Sequence, residues 1–139
     1  MINFHYETDF TSLDASLYTK WINSIIQSEN FELGALEYIF CDDAYLLNIN
    51  QQYLDHDTYT DIITFDYTEG SSISGDIFIS LERVQENAVT FKEPFLQELH
   101  RVIAHGVLHL MGYKDKTEKD AAIMRAKEEE KIQMFHVEQ

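Results

Sequence analysis

Apolar and polar side chains alternate from Ile2 to Glu7, the two-residue period of a strand with one inward face. The period then lengthens. Between Ser12 and Asn30, Leu13, Leu17, Trp21 and Ile25 recur at four-residue steps, which predicts a helix with one buried face. Leu36–Cys41 is short and mostly apolar and predicts a second strand. Asp42 or Asp43 can cap a helix running to about Leu54, with Leu46, Ile49 and Tyr53 inward. Two β-branched and aromatic runs, Asp61–Tyr67 and Asp76–Ser80, flank the stretch TEGSSISG and predict a hairpin with a flexible turn. Leu81–Phe91 reads as a helix. Pro94 suits the first turn of another, which runs to Met111 and is closed by Gly112 as a left-handed cap. Thr117 opens a last, charged helix through about Phe135. The expected fold is α+β, with one mixed four-stranded sheet and about five helices. Strands separated by helices tend to pair parallel, and hairpin strands pair antiparallel.

Composition limits what such a chain can be. Its 139 residues suit one domain, 1–139, and its 45% apolar content suffices for a hydrophobic core. The single cysteine, Cys41, cannot form an intramolecular disulfide; it fits the core and a reducing cytoplasm. The stretch MINFHYETDF lacks the basic-then-apolar pattern of a signal peptide. The longest uncharged run, Val102–Tyr113, is 12 residues, against about 20 for a bilayer span. A cytoplasmic protein with no membrane partner is expected.

Net charge is −15, which by itself argues against a nucleic-acid partner. The distribution changes that picture. Residues 1–80 carry 14 acids and one base, Lys20, whereas residues 81–139 carry 11 acids and nine bases, including every arginine. The acidity therefore lies mostly outside the second part of the chain, where the candidate chemistry is found.

That chemistry centres on HGVLHLMGYKD, residues 105–115. His105 and His109 stand one helical turn apart on one face, so both imidazoles can reach one ion. The helix around them is apolar nearly all round, hence buried, and buried polar groups left unpaired cost about 1–3 kcal/mol each. Bonds to backbone or carboxylates would satisfy them; so would a metal. The downstream residues favour the metal. Gly112 would turn the chain back and bring Asp115 over the histidines, in the H-x-x-x-H-x-x-G-x-x-H spacing of metzincin proteases. Three protein ligands, His105, His109 and Asp115, would leave a fourth position open, as in catalytic zinc sites. One Zn2+ is the expected cofactor, with another divalent ion as the alternative. The cleft is expected at the end of the buried helix. A protease would carry Glu where this chain has Gly106, so a peptidase is the least favoured reading.

The same residues resemble the H-G-x-L-H-L-x-G-Y-D-H signature of the YbeY family of bacterial endoribonucleases that mature ribosomal RNA. Asn50–Phe65, NQQYLDHDTYTDIITF, is similar to that family's Asn-x-x-Tyr-Arg…Pro-Thr-Asp-Val-Leu-Ser-Phe segment. Gly75-Asp76-Ile77 resembles its Gly-Asp-Ile/Leu strand, and Met124 with Glu128 the Met and Glu of its last helix. The resemblance covers about the last two-thirds of the chain. It implies an α+β fold, a metal in a cleft, and cleavage of single-stranded RNA, in ribosomal RNA maturation and ribosome quality control. A ribosome or ribosome-associated protein is an implied partner.

Three positions depart from the signature. Lys114-Asp115 replaces Asp-His, which makes the third ligand a carboxylate and the ion's water less acidic. Leu54 stands where the family has Arg, and Tyr59 where it has Pro. Arg101, one turn before His105, is the candidate substitute phosphate clamp; an ion pair with Glu98 is its other reading. Asp61 and Asp76, near strand ends, are candidates for orienting a histidine N–H, or else caps of helices or turns. Lys114 and Lys116 read as solvated turn residues or phosphate attractors, and Tyr113 as a core residue or a base-stacking one. With Gly106 in place of Glu, proton removal falls to metal hydroxide, a distant base or the substrate's 2′-hydroxyl. Two competing functions remain open. One is a ribosome-assembly binding module with a structural metal and weak or no nuclease activity; the other is a metal hydrolase of another substrate.

Overall fold

A computed structural model describes residues 1–10, 12–54 and 60–138, without the side chains of Leu54 and of residues 136–138. His56 and Tyr59, and the side chains of Leu54 and His136, thus lie outside the described residues. The elements are β1 (Ile2–Tyr6), α1 (Ala15–Ser28), β2 (Glu32–Cys41), α2 (Asp43–Leu54), β3 (Ile62–Asp66), β4 (Ser72–Ser80), α3 (Leu81–Phe91), α4 (Phe95–Leu110) and α5 (Glu118–Glu138). The sheet order is β1-β2-β4-β3. β1 and β4 run parallel to β2, and β3 runs antiparallel to β4 at the edge. Among the described residues, the α+β fold with one mixed four-stranded sheet and five helices is therefore as expected.

The differences are local. β4 begins at Ser72 and β2 at Glu32, each four residues earlier than the apolar runs indicate. Ser72 pairs with Glu32 and Ile73 with Leu33, so neighbouring strands impose the extended form on small polar residues of low strand preference. The turn shrinks accordingly to Glu69–Ser72, whose two residues exchange backbone hydrogen bonds of 3.2 and 2.9 Å. In α2, Leu46 is buried and Ile49 half-buried, but Tyr53 is 65% exposed. Asn50 occupies the buried position at that end of the helix instead.

Strand alternation sorts β4 into two faces. Ile73, Gly75, Ile77 and Ile79 are buried on the face that carries the main core with α1, α4 and α5. Phe78 faces the opposite way, into a small cluster with Cys41, Leu46 and Ile63 under α2. α4 lies close on the sheet at Gly106. A Cβ there would come within 2.9 Å of Ile77 Cγ2 and 3.0 Å of Ile62 Cδ1. Gly106 is thus required by the approach of helix to sheet, and its position faces the strands rather than the histidines. α1 is fastened to α5 by Trp21 Nε1, which donates to the Lys131 carbonyl at 2.8 Å. No described helix is long and apolar enough to cross a membrane.

Candidate metal centre

α4 ends in a hydrogen-bond pattern that a glycine makes possible. Gly112, at φ 101°, donates to the His109 carbonyl at 3.0 Å, and Tyr113 donates to the Leu108 carbonyl at 3.2 Å. This paired arrangement is a Schellman motif, and it reverses the chain after the helix. Tyr113 then anchors the returning loop, its hydroxyl donating to Glu29 Oε1 at 2.6 Å at the end of α1. Lys114 and Lys116 point outward and are exposed.

The reversal brings Asp115 to the two histidines. Its Oδ2 is 3.3 Å from His105 Nε2 and its Oδ1 3.7 Å from His109 Nε2. The imidazoles meet edge to face, with centroids 4.8 Å apart. One donor atom from each of the three residues lies within 4.8 Å of the others. Donor atoms this close could share one ion. Two imidazoles and a carboxylate form a donor set suited to zinc, and the group could hold such an ion.

The surroundings prepare the histidines differently. His105 Nδ1 is 2.6 Å from Glu128 Oε2, on α5. Burial pulls the His105 pKa down, but the Glu128 hydrogen bond and the charges of Glu128, Asp115 and Asp61 outweigh it and hold the pKa above the usual value. His109 goes the other way, lowered by burial and by the neighbouring His105. The lowering favours the neutral imidazole, the form that can bind a metal.

The triad opens onto a polar cavity of about 430 Å³. Thr60, Asp61, Asn87, Phe91, Glu98, Arg101, Arg125 and Glu128 are among its walls. Asp61 stands there as a neighbour of His105, with Asn87 Nδ2 donating to its Oδ2 at 3.4 Å, and burial raises its pKa against the His105 charge. Asp76 lies elsewhere. It alternates with the inward Gly75 and Ile77 and so sits on the other face of the sheet, where Tyr67 donates to it at 3.3 Å. The carboxylate that holds His105 is Glu128, 23 residues away in sequence, and nothing local to the histidine motif signals it.

Arg101 is only 6% exposed and faces four carboxylates. It lies 2.6 Å from Glu129, 3.5 Å from Glu98, 3.6 Å from Glu93 and 3.6 Å from Glu128. Glu98, 3% exposed, has its pKa raised by burial to about 7, even though the Arg101 charge opposes the rise. His100 lies away from the cleft, 2.7 Å from the Tyr18 hydroxyl, and His5 pairs with Glu37.

Comparison with known proteins places the chain in a family. The family model described as endoribonuclease YbeY matches residues 3–136. The chain belongs to the YbeY endoribonuclease family. A Flavobacterium psychrophilum protein named endoribonuclease YbeY is 58% identical over 139 residues, covering 100% of this chain and 99% of its own length. A Porphyromonas gingivalis endoribonuclease YbeY is 47% identical over 135 residues, covering 96% of this chain and 89% of its own. The solution structure of the Thermotoga maritima protein TM1509 is similar with a TM-score of 0.72 at 26% identity. It covers 97% of this chain and 89% of that one. Membership of the YbeY family makes this chain a hydrolytic endoribonuclease, and family members of this kind are metal-dependent.

Proposed function

We propose that this chain is a zinc-dependent, single-strand-specific endoribonuclease of ribosomal RNA maturation and ribosome quality control, acting in the cytoplasm on ribosomal RNA or ribosome-bound precursors. The observation that carries the reading is the convergence of His105, His109 and Asp115 at a polar cavity walled by two arginines. His105, His109 and Asp115 hold the ion. When bound, it supplies Lewis acidity toward a phosphoryl oxygen. Glu128 fixes the ring plane and tautomer of His105 through Nδ1. Asp61 stands beside it in the cavity wall, where burial disfavours the charged carboxylate and the His105 charge favours it. Arg101 and the exposed Arg125 at the rim draw the substrate phosphate, although Arg101 has four carboxylate neighbours. Glu98, its pKa raised by burial to about 7, titrates near neutral pH inside the same cavity.

That crowding of Arg101 favours one competing reading, a ribosome-assembly module whose metal is structural. Elemental analysis paired with a single-stranded RNA cleavage assay separates the two. Stoichiometric zinc with cleavage abolished in His109→Ala supports the nuclease. Stoichiometric zinc without metal-dependent cleavage supports the binding module.

A further inference from the structure

We propose that Phe91 is a stacking platform for one nucleobase of the RNA strand whose phosphate enters the metal cleft; the proposal rests on RNA being the substrate. Phe91 is the last residue of α3 and is 56% exposed, while the other eight phenylalanines are buried or half-buried. A lone exposed phenylalanine on a protein surface is ordinary. This one lines the same cavity as His105, His109 and Asp115, and apart from the imidazoles it supplies the only aromatic ring among the cavity's described lining residues. Its ring contacts no other ring among the described residues.

The neighbours of Phe91 fit a nucleotide. Asn87 lies one turn earlier on the same face of α3 and lines the same cavity, so it brings an amide to the side on which a base would rest. Arg101 and Arg125 contribute positive charge from α4 and α5. Single-stranded nucleic acid is held by this combination, cations along the backbone and aromatic faces under the bases, and stacking tolerates any base because each has a π-face. The cavity thus divides into a metal and phosphate side on α4 and α5 and a base side on α3.

The test compares wild type with Phe91→Ala and Phe91→Trp on short single-stranded RNAs, some carrying one abasic nucleotide. Phe91→Ala should raise KM roughly 10-fold with kcat and zinc content close to wild type. Phe91→Trp should restore KM, and its fluorescence should be quenched when RNA is added. In wild type, one abasic position should raise KM by a similar factor, and Phe91→Ala should be insensitive at that position. An unchanged KM in Phe91→Ala, or a full abasic penalty on top of the Phe91→Ala penalty, would overturn the platform. If wild type cleaves none of these RNAs while RNA still quenches Phe91→Trp, the nuclease reading fails and Phe91 is left as a base-binding residue without a substrate role.

Discussion

Glu128 Oε2 and His105 Nδ1 lie 2.6 Å apart, joining α5 to α4 beside the candidate metal-binding group His105, His109 and Asp115. Glu128 is 5% exposed and its second oxygen faces Arg101 at 3.6 Å, so the carboxylate is held from both sides. Removing it frees the His105 ring to rotate. Glu128→Ala is expected to weaken zinc affinity about 10- to 100-fold, read by competition with a chromogenic chelator. Affinity equal to wild type would show that α4 alone orients the ring.

Zinc should bind the folded chain in preference to the unfolded one, because Asp115 reaches the histidines only after the turn at Gly112. Free zinc at 100 times its dissociation constant then adds about 2.7 kcal/mol of stability. Differential scanning calorimetry should show a rise in Tm on adding zinc, a matching fall with chelator, and neither change in His109→Ala.

Arg101 faces four carboxylates, of which Glu98 and Glu128 are buried with it while Glu93 and Glu129 are partly exposed. Arg101→Ala is expected to cost about 3 kcal/mol in urea unfolding. If Arg101 also clamps the phosphate, cleavage by the folded fraction should drop sharply. Cleavage at the wild-type rate would confine its role to the ion-pair cluster.

Glu98 has a pKa raised by burial to about 7 in the folded chain, against an unperturbed value of 4.5. Across that interval the native state keeps a proton that the unfolded state has lost, so this group's contribution to stability falls as pH rises from 4.5 to 7 and is flat above. Glu98→Gln removes the ionisation. In chelator, the variant should gain about 1–3 kcal/mol on wild type at pH 8 and almost nothing at pH 4.5. A gain independent of pH would show that Glu98 does not titrate there.

Glu29 behaves in the opposite sense. Burial would raise its pKa, but hydrogen bonds from Lys131, Tyr113 and Lys127 outweigh that and bring it to about 2. Its stabilisation is full above about pH 4.5 and is lost as pH falls towards 2. Glu29→Gln should cost about 2 kcal/mol at pH 7 and shrink that part of acid unfolding. Because Tyr113 leans on Glu29 next to the Asp115 loop, zinc affinity should fall in the same variant.

The sequence carries what is local. Leu17, Trp21 and Ile25 mark the inward face of α1, and β-branched runs mark β3 and β4, because side-chain period follows directly from backbone geometry. His105, His109, Gly112 and Asp115 are close in sequence, so one helix turn and one Schellman cap suffice to foresee their meeting. Tyr53 escaped such reasoning, since a helix period shows which residues share a face but not how far the covering sheet extends beneath it.

Tertiary structure alone decided the rest. Glu128 reaches His105 across 23 residues, and Phe91 and Asn87 reach the same cavity from a third helix, contacts that no short spacing encodes. Asp76 went to the far face because its strand register, not its nearness to a strand end, sets its direction. Gly106 shows both levels in one residue. From sequence it signals the absence of a protease base; in the fold it is the point where α4 meets Ile77 and Ile62, too close for a Cβ.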